Sequence, residues 1–271
     1  MPELPEVETT ARGIAPHLLE HRVSHVVVRH RQLREPVPVD LEAHLAGRRL
    51  GAVTRRAKYL LLDFGNGQLL VHLGMSGSLR IVPTDTAPLA HDHVDIGFGD
   101  QVLRYRDPRR FGLMRWIGQG EPLPAVLAGL GVEPLSEAFD GAWLYRATRD
   151  TRRSIKTFIM DSHQVVGVGN IYASESLFRA GIHPLTPAGR LGRARCDRLA
   201  GAIRATLTDA IAAGGSSLRD FVGSDGKPGY FQQQYFVYGR TDEPCRGCGR
   251  PIEKQVIGQR ASFFCRHCQH R

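Results

Sequence analysis

Residues 245–268 read CRGCGRPIEKQVIGQRASFFCRHC, and the cysteine spacing in this stretch frames the rest of the chain. Cys245-x2-Cys248 and Cys265-x2-Cys268 are two CxxC pairs with sixteen residues between them, the spacing of a zinc ribbon. Each pair can place two thiolates on one metal, and two such knuckles complete a tetrahedral site. Four thiolates close the coordination shell, so the expected ion is one structural Zn2+ that folds its module and takes no part in catalysis. The module is read as a β-hairpin over 236–271. Disulfides among these thiols are not expected in a reducing compartment. The fifth cysteine, Cys196 between Arg195 and Asp197, sits in a helical stretch and reads as a buried small hydrophobe.

Upstream, 271 residues leave room for one large or two ordinary domains. At 42% hydrophobic and 23% charged, the composition is that of an ordinary globular chain. No apolar run approaches the ~20 residues a membrane helix needs. The start, PELPEVETT, is acidic and lacks an apolar stretch, so no signal peptide is read and a cytoplasmic place is expected. The net charge of +9 is unevenly spread. Residues 1–135 hold 16 Lys+Arg against 15 Asp+Glu, whereas 136–271 hold 20 against 12. A basic half suits a polyanionic partner, although charge alone equally fits a merely basic surface. Arginine suits phosphate recognition.

The pattern divides the chain in three. Val7, Ala11, Ile14 and Leu18 share one helix face. A helix is predicted over 3–15, with Pro5 in its first turn and Pro16 kinking or ending it. From 22 to 117 the runs are short and β-like: His25–Arg29, Tyr59–Phe64, Gln68–Leu73, Ser78–Val82, His93–Phe98 and Gln101–Tyr105. Asn66-Gly67 and Gly99-Asp100 read as hairpin turns, and the whole as a sandwich or flattened barrel. Residues 118–137 are rich in Gly and Pro and read as a linker. Helices are predicted after it, over 138–148, 151–160, 170–180, 193–213 and 216–222. The layout is therefore α+β and multidomain. An N-terminal β-sandwich with its leading helix spans 1–117, a helical domain 138–235 and the zinc hairpin 236–271.

The first residues carry candidate chemistry. Pro2 follows Met1 directly, and removal of Met1 would free a secondary amine. An α-amino group titrates near ~8, so much of it is a neutral nucleophile that can form an iminium with an aldehyde-like carbon. Glu3 and Glu6 follow within one helical turn. An amine with carboxylic acids is a kit for covalent catalysis with proton transfer, yet Glu3 and Glu6 fit equally as ordinary acids at a helix start. Lys58 adjoins apolar Leu60–Leu62 on a predicted strand, from which a lysine can snorkel to the surface. Gly167-Val168-Gly169-Asn170 opens a helix, where glycines let backbone N–H groups approach a phosphate.

Taken together, PELPEVE, Lys58 in RRAKYLL, HLGMSGSL at 72–79, HDHVD at 91–95, DPRRFG at 107–112, MDSHQVVGVGNIYASE at 160–175, SDGKPGYF at 224–231 and the four-cysteine module run the length of the chain in order. The chain resembles bacterial formamidopyrimidine-DNA glycosylases, which remove 8-oxoguanine. The resemblance implies a helix–two-turn–helix domain in the middle of the chain and duplex DNA with oxidised purines as partner. It also implies a bifunctional glycosylase and lyase acting through a Schiff base on Pro2, followed by β,δ-elimination. Glu3 would be the acid that opens the sugar, Glu6 a supporting carboxylate, and Lys58 a cation beside the amine. Arg260 in the zinc hairpin would reach the DNA backbone near the lesion. Lys156 and Asn170 would hold phosphates, with His91, Arg110 and Tyr238, and also His72, as further backbone contacts. Met75, Arg109 and Phe111 would fill the gap left by an everted base, although Met75 and Phe111 read alone fit core positions. Ser224–Phe231 is expected to be a lid over that base. A monomer is expected, nucleoid-associated in the cytoplasm. An endonuclease VIII-like enzyme for oxidised pyrimidines is the related alternative; its start resembles PEGPE, where this chain has Leu4. A non-catalytic zinc-ribbon DNA binder is the alternative of another class, and retention of Met1 would favour it.

Overall fold

The computed structural model describes residues 1–216 and 231–271; of Gln232 and Gln233 only the backbone is described. The helix predicted over 216–222 therefore lies, from 217 onward, outside the described residues, as does Ser224–Phe231 apart from Phe231. The chain divides into two compact units, Met1–Ala128 with Ala213–Tyr230, and Gly129–Ala212 with Phe231–Arg271. The break after Ala128 falls inside the stretch read as a linker.

In the first unit, α1 (Leu4–Leu18) buries Leu4, Val7, Ala11, Ile14 and Leu18. That spacing is one helical stripe. The helix does not stop at Pro16, which lies within its last turn. So near the end, the proline forfeits one backbone bond, while burial of Leu18 favours the final turn. Then come β1 (His25–Val28), the short α2 (Leu41–Leu45), β2 (Ala52–Arg56), β3 (Tyr59–Asp63), β4 (Gly67–His72), β5 (Ser78–Pro83), β6 (Asp92–Phe98), β7 (Gln101–Arg106), β8 (Leu113–Gly118) and α3 (Ala125–Ala128).

These strands form two four-stranded antiparallel sheets, β1-β6-β7-β5 and β2-β3-β4-β8. Both feed one core: Val26, Leu79, Val94, Ile96 and Leu103 from the first, Leu60, Leu62, Leu69, Val71 and Met114 from the second, with Val7, Ile14 and Leu18 of α1. This is the expected β-sandwich with its leading helix. β2 and β8, the two edges of the second sheet, are not among the strands expected from the sequence. β2 is AVTRR, half-exposed and ending in two arginines, so it carries no clean alternation.

In the second unit, α4 (Gly141–Thr148) is capped by Asp140, whose carboxylate accepts from Trp143 N–H at 2.6 Å. Next, α5 (Ile155–Ile159) is capped by Ser154, whose hydroxyl accepts from Thr157 N–H at 3.3 Å. That cap explains why the helix starts at 155 and not 151. Then come α6 (Asn170–Arg179) and α7 (Arg193–Ala212), which packs on both α4 and α6. The final hairpin is β9 (Glu253–Ile257) with β10 (Arg260–Phe264). Its turn places Gly258 and Gln259 at φ +54° and +62°, the two positive values a type I′ hairpin demands. A Cβ on Gly258 would come within 2.6 Å of Thr157 on α5, so glycine permits that close approach. Cys196 is fully buried on α7.

Candidate active site and nucleic-acid contacts

Glu3 is the N-cap of α1 and Glu6 lies in its first turn. Both are almost wholly buried, as is Pro2. The Glu6 carboxylate accepts from Glu3 N–H at 2.8 Å with one oxygen and from Ser216 N–H at 2.8 Å with the other. Gly215 lies against it at φ +80°. Burial pushes the amine at the start of the chain, here on Met1, below the ordinary α-amino range; Glu3 and Glu6 pull it up, and Lys58 and Arg109 push it down. Among the described residues, the buried carboxylates of Glu3 and Glu6 and the cations of Lys58 and Arg109 thus act on the first amine.

Lys58 does not lie on a strand. It occupies, with Ala57 at φ +54°, the two-residue turn between β2 and β3, where Arg56 pairs with Tyr59. The turn explains how a lysine flanked by apolar strand residues reaches the amine's surroundings. Across from Tyr59 stands His72, whose ring lies 4.8 Å from the tyrosine ring. Burial, with Lys58 and Arg34 adding, lowers His72 to about 4. Its Nδ1 accepts from Gly74 N–H at 3.0 Å.

Met75 sits half-buried in the turn between β4 and β5. Arg109 and Phe111 are exposed in the loop between β7 and β8, with the guanidinium 5.0 Å over the Phe111 ring. Phe111 is 48% exposed, so it is not a core residue. His91 and Arg110 are exposed at φ +73° and +57°. They line a cavity of about 300 Å3 with Arg29, His30, Asp92 and His93. Arg110 donates to His30 Nε2 at 2.9 Å.

In the second unit, Lys156 on α5 is fully buried. Its ammonium donates to Asn170 Oδ1 at the start of α6 and to Ser262 Oγ on β10, the latter at 2.6 Å. Asn170 Nδ2 donates in turn to Ala261 O at 2.8 Å, and Ser262 Oγ to Arg260 O at 3.1 Å. Arg260 opens β10 at the hairpin tip and is exposed. The carboxylate of Glu175 on α6 accepts N–H bonds of 2.8, 3.0 and 2.8 Å from Phe236, Val237 and Tyr238. Burial nonetheless pushes its pKa up, with the N–H bonds pulling the other way. The Tyr238 ring meets Phe263 edge-on at 5.0 Å. Glu175, Ser262 and Asp107 were not singled out from the sequence.

The cysteines meet the demands of a zinc centre. The Sγ atoms of Cys245, Cys248, Cys265 and Cys268 all lie within 4.8 Å of one another. Cys245 and Cys268 are 3.8 Å apart and Cys248 and Cys265 3.5 Å, close to the ~3.8 Å edge of a tetrahedron with ~2.3 Å Zn–S bonds. One structural Zn2+ fits, held by these four thiolates.

Family models cover nearly all of the chain. The formamidopyrimidine-DNA glycosylase N-terminal domain matches residues 1–114, the H2TH domain of the same enzymes 130–222, and the zinc finger found in FPG and IleRS 242–271. The formamidopyrimidine-DNA glycosylase of Aromatoleum aromaticum is 61% identical, with 100% of both chains covered. This chain belongs to the formamidopyrimidine-DNA glycosylase family. The glycosylase of Cupriavidus pinatubonensis is 56% identical over 100% of both chains. Among solved structures, the MutM (Fpg) protein of Thermus thermophilus is 39% identical, covers 99% of this chain and 98% of its own, and superimposes with a TM-score of 0.87. The Lactococcus lactis Fpg in complex with abasic-site DNA is 33% identical at a TM-score of 0.91, with 99% of this chain and 100% of that chain covered. The formamidopyrimidine-DNA glycosylase fold thus spans all three segments read from the sequence. No described helix is long and apolar enough to cross a membrane.

Proposed function

We propose that this glycosylase excises oxidised purines, 8-oxoguanine and formamidopyrimidines, from duplex DNA and then nicks the strand, with Pro2 as nucleophile. The observation that carries the reading is the set of charges around the first amine. Glu3, Glu6, Lys58 and Arg109 all act on it, and Pro2 becomes that amine once Met1 is removed. Its lone pair attacks C1′ of the damaged nucleotide, the C1′–N bond breaks as the base leaves with its electron pair, and the N–H proton of the ammonium so formed neutralises the departing base. Glu3 delivers a proton to the sugar ring oxygen, the ring opens, and the C1′–Pro2 bond becomes an iminium. The iminium acidifies C2′–H. Loss of that proton expels the 3′ phosphate, and a second elimination expels the 5′ phosphate. Lys58 favours the unprotonated amine and can pair with a phosphate.

The remaining residues hold DNA. Met75, Arg109 and Phe111 replace the everted base in the stack. His91, Arg110, Asn170, Tyr238 and Arg260 hold the backbone; Lys156, expected from the resemblance to join them, is fully buried and instead supports Asn170 and the hairpin strand from within. The zinc shapes the hairpin that carries Arg260, and no step passes through it. The domains are read as sandwich, helix–two-turn–helix and zinc hairpin, and the enzyme as a monomer at the nucleoid in the cytoplasm. Borohydride trapping on a duplex with 8-oxoguanine opposite cytosine tests the mechanism. An adduct that forms with the wild type, is weakened in Pro2→Gly, which keeps only a primary amine in place of the proline's secondary one, and is lost in Glu3→Gln is expected. No adduct from protein that lacks Met1 and binds the duplex would overturn it, in favour of a pyrimidine-lesion enzyme or a non-catalytic binder.

A further inference from the structure

Asp107 opens DPRRFG and is wholly buried, although residues 108–111 after it are exposed. Its carboxylate is filled. One oxygen accepts from Ser76 Oγ at 2.7 Å and Arg109 N–H at 3.3 Å, and the other from Tyr105 Oη at 3.1 Å and Gly112 N–H at 2.8 Å. Four donors occupy the roughly four acceptor sites a carboxylate offers. Burial and Asp107 itself push the Tyr105 phenol above its ordinary pKa, so its O–H stays a donor. Ser76 Oγ also accepts from Arg109 N–H at 3.2 Å, closing a ring between the two loops.

The main chain of Asp107 adds a third segment. Its N–H donates to His91 O at 3.1 Å, and its carbonyl accepts from His93 Nε2 at 2.8 Å. The register of β6 against β7 shifts between Asp92 and Val94, so His93 is the irregular residue of that pair, and such bulges re-aim a side chain. The backbones are pressed together as well. A Cβ on Gly74 would lie 2.5 Å from Gly112 N and from the Phe111 carbonyl carbon, and one on Gly112 would lie 1.7 Å from the Tyr105 hydroxyl. Met75, Arg109–Phe111 and His91 thus stand on three loops that converge on one residue, none of whose own atoms reaches the surface.

We propose that Asp107 is a positioning residue for base eversion: it locks the loops of Met75, Arg109–Phe111 and His91 into one rigid wedge that enters the duplex as a unit. The proposal rests on the eversion reading above. Its logic is that a void filler works only if its two sides keep their spacing while a base is forced out. Displacement of about 1 Å at such a site can cost on the order of 10²-fold in rate. Removing one acceptor oxygen leaves an N–H or O–H donor of a loop buried without a partner, and the loops part.

The test compares a substrate that needs eversion with one that does not. Single-turnover excision is measured on duplex DNA with 8-oxoguanine opposite cytosine. Borohydride trapping is measured on a single-stranded oligonucleotide with an abasic site, which has neither a base to evert nor an opposite base to face. Asp107→Asn is expected to slow duplex excision roughly 10- to 100-fold and to leave single-strand trapping within about threefold of wild type. Ser76→Ala, a milder loss on the same carboxylate, is expected to act in the same direction and carries the test if Asp107→Asn does not fold. Equal losses on both substrates would reduce Asp107 to a structural role, and unchanged duplex excision would remove it from eversion; either overturns the proposal. If the wild type neither excises from the duplex nor forms an adduct on the single strand, the Pro2 mechanism has failed instead.

Discussion

Replacing Lys156 by methionine should loosen three segments at once. The wild-type ammonium is fully buried and donates to Asn170 on α6 and Ser262 on β10, from its own place on α5. Hydrogen bonds from a charged donor contribute about 1.5–3 kcal/mol each, so the two together contribute roughly 3–6 kcal/mol. Methionine fills a similar volume and abolishes the burial of a charge, which returns a few kcal/mol. The net expected loss is about 2 kcal/mol, or a fall in melting temperature on the order of 5 °C. The larger effect should be on DNA. Asn170 Nδ2 and Ser262 Oγ reach Ala261 O and Arg260 O respectively, so both ends of the Lys156 link touch the strand that begins with Arg260. With that link gone, affinity for a duplex with a stable abasic-site analogue should fall by about tenfold or more, the equivalent of about 1.4 kcal/mol. Thermal melts and fluorescence anisotropy at fixed salt measure the two quantities. A Lys156→Met protein that melts and binds like the wild type would refute the idea that this ammonium joins the helices to the hairpin.

Two further outcomes follow from the same geometry. If Lys58, Arg110 and Arg260 are the cations that displace counterions, log affinity should fall with log salt at a slope of about −2.7. Arg260→Ala should bring that slope to about −1.8, in a titration from 50 to 200 mM salt. An unchanged slope would remove Arg260 from the phosphate contacts. Stability should also depend on His72. Its folded pKa is depressed to about 4 from an ordinary 6.5, so the ring is neutral in both states above pH 6.5 and its contribution is lost as pH falls towards 4. The loss is on the order of 3 kcal/mol. Urea unfolding of wild type and His72→Gln across pH 7 to 4 should show a shallower fall for the variant, and parallel curves would contradict the burial argument.

Local information was enough wherever the physics is local. The stripe of Val7, Ala11, Ile14 and Leu18 announces α1, and the two CxxC pairs announce their metal site, because each depends on spacing within a few turns or one hairpin. The misreadings share a cause. Pro16 reads as a kink or a stop by propensity, and the helix runs past it because the core claims Leu18 behind it. Lys58 reads as a strand residue from its apolar neighbours, but a positive φ at Ala57 turns the chain there. β2 and β8 lie at sheet edges, where partial exposure blurs the alternation. Phe111 taken alone fits the core, but the resemblance places it in a gap outside the core, and it stands exposed. None of these can be settled without the partners that folding supplies.

Those partners repeat one device. Glu6, Asp107 and Glu175 are nearly or wholly buried, and each carboxylate accepts from the backbone of a segment of the site. Glu6 reaches Ser216 across 210 positions, Asp107 reaches Ser76 across 31, and Glu175 reaches Phe236 across 61. A buried carboxylate is costly unless every lone pair is used, so it enforces one arrangement of loops that hydrophobic packing would hold only approximately. The segments held in this way are the ones a glycosylase must keep from drifting: the helix start behind the proposed nucleophile, the proposed wedge, and the entry to the zinc hairpin at Tyr238. Loops rich in glycine and arginine have little apolar area to bury. Their order must come from directional bonds to groups that the core makes rigid, and acids placed on α1, β7's end and α6 supply those bonds.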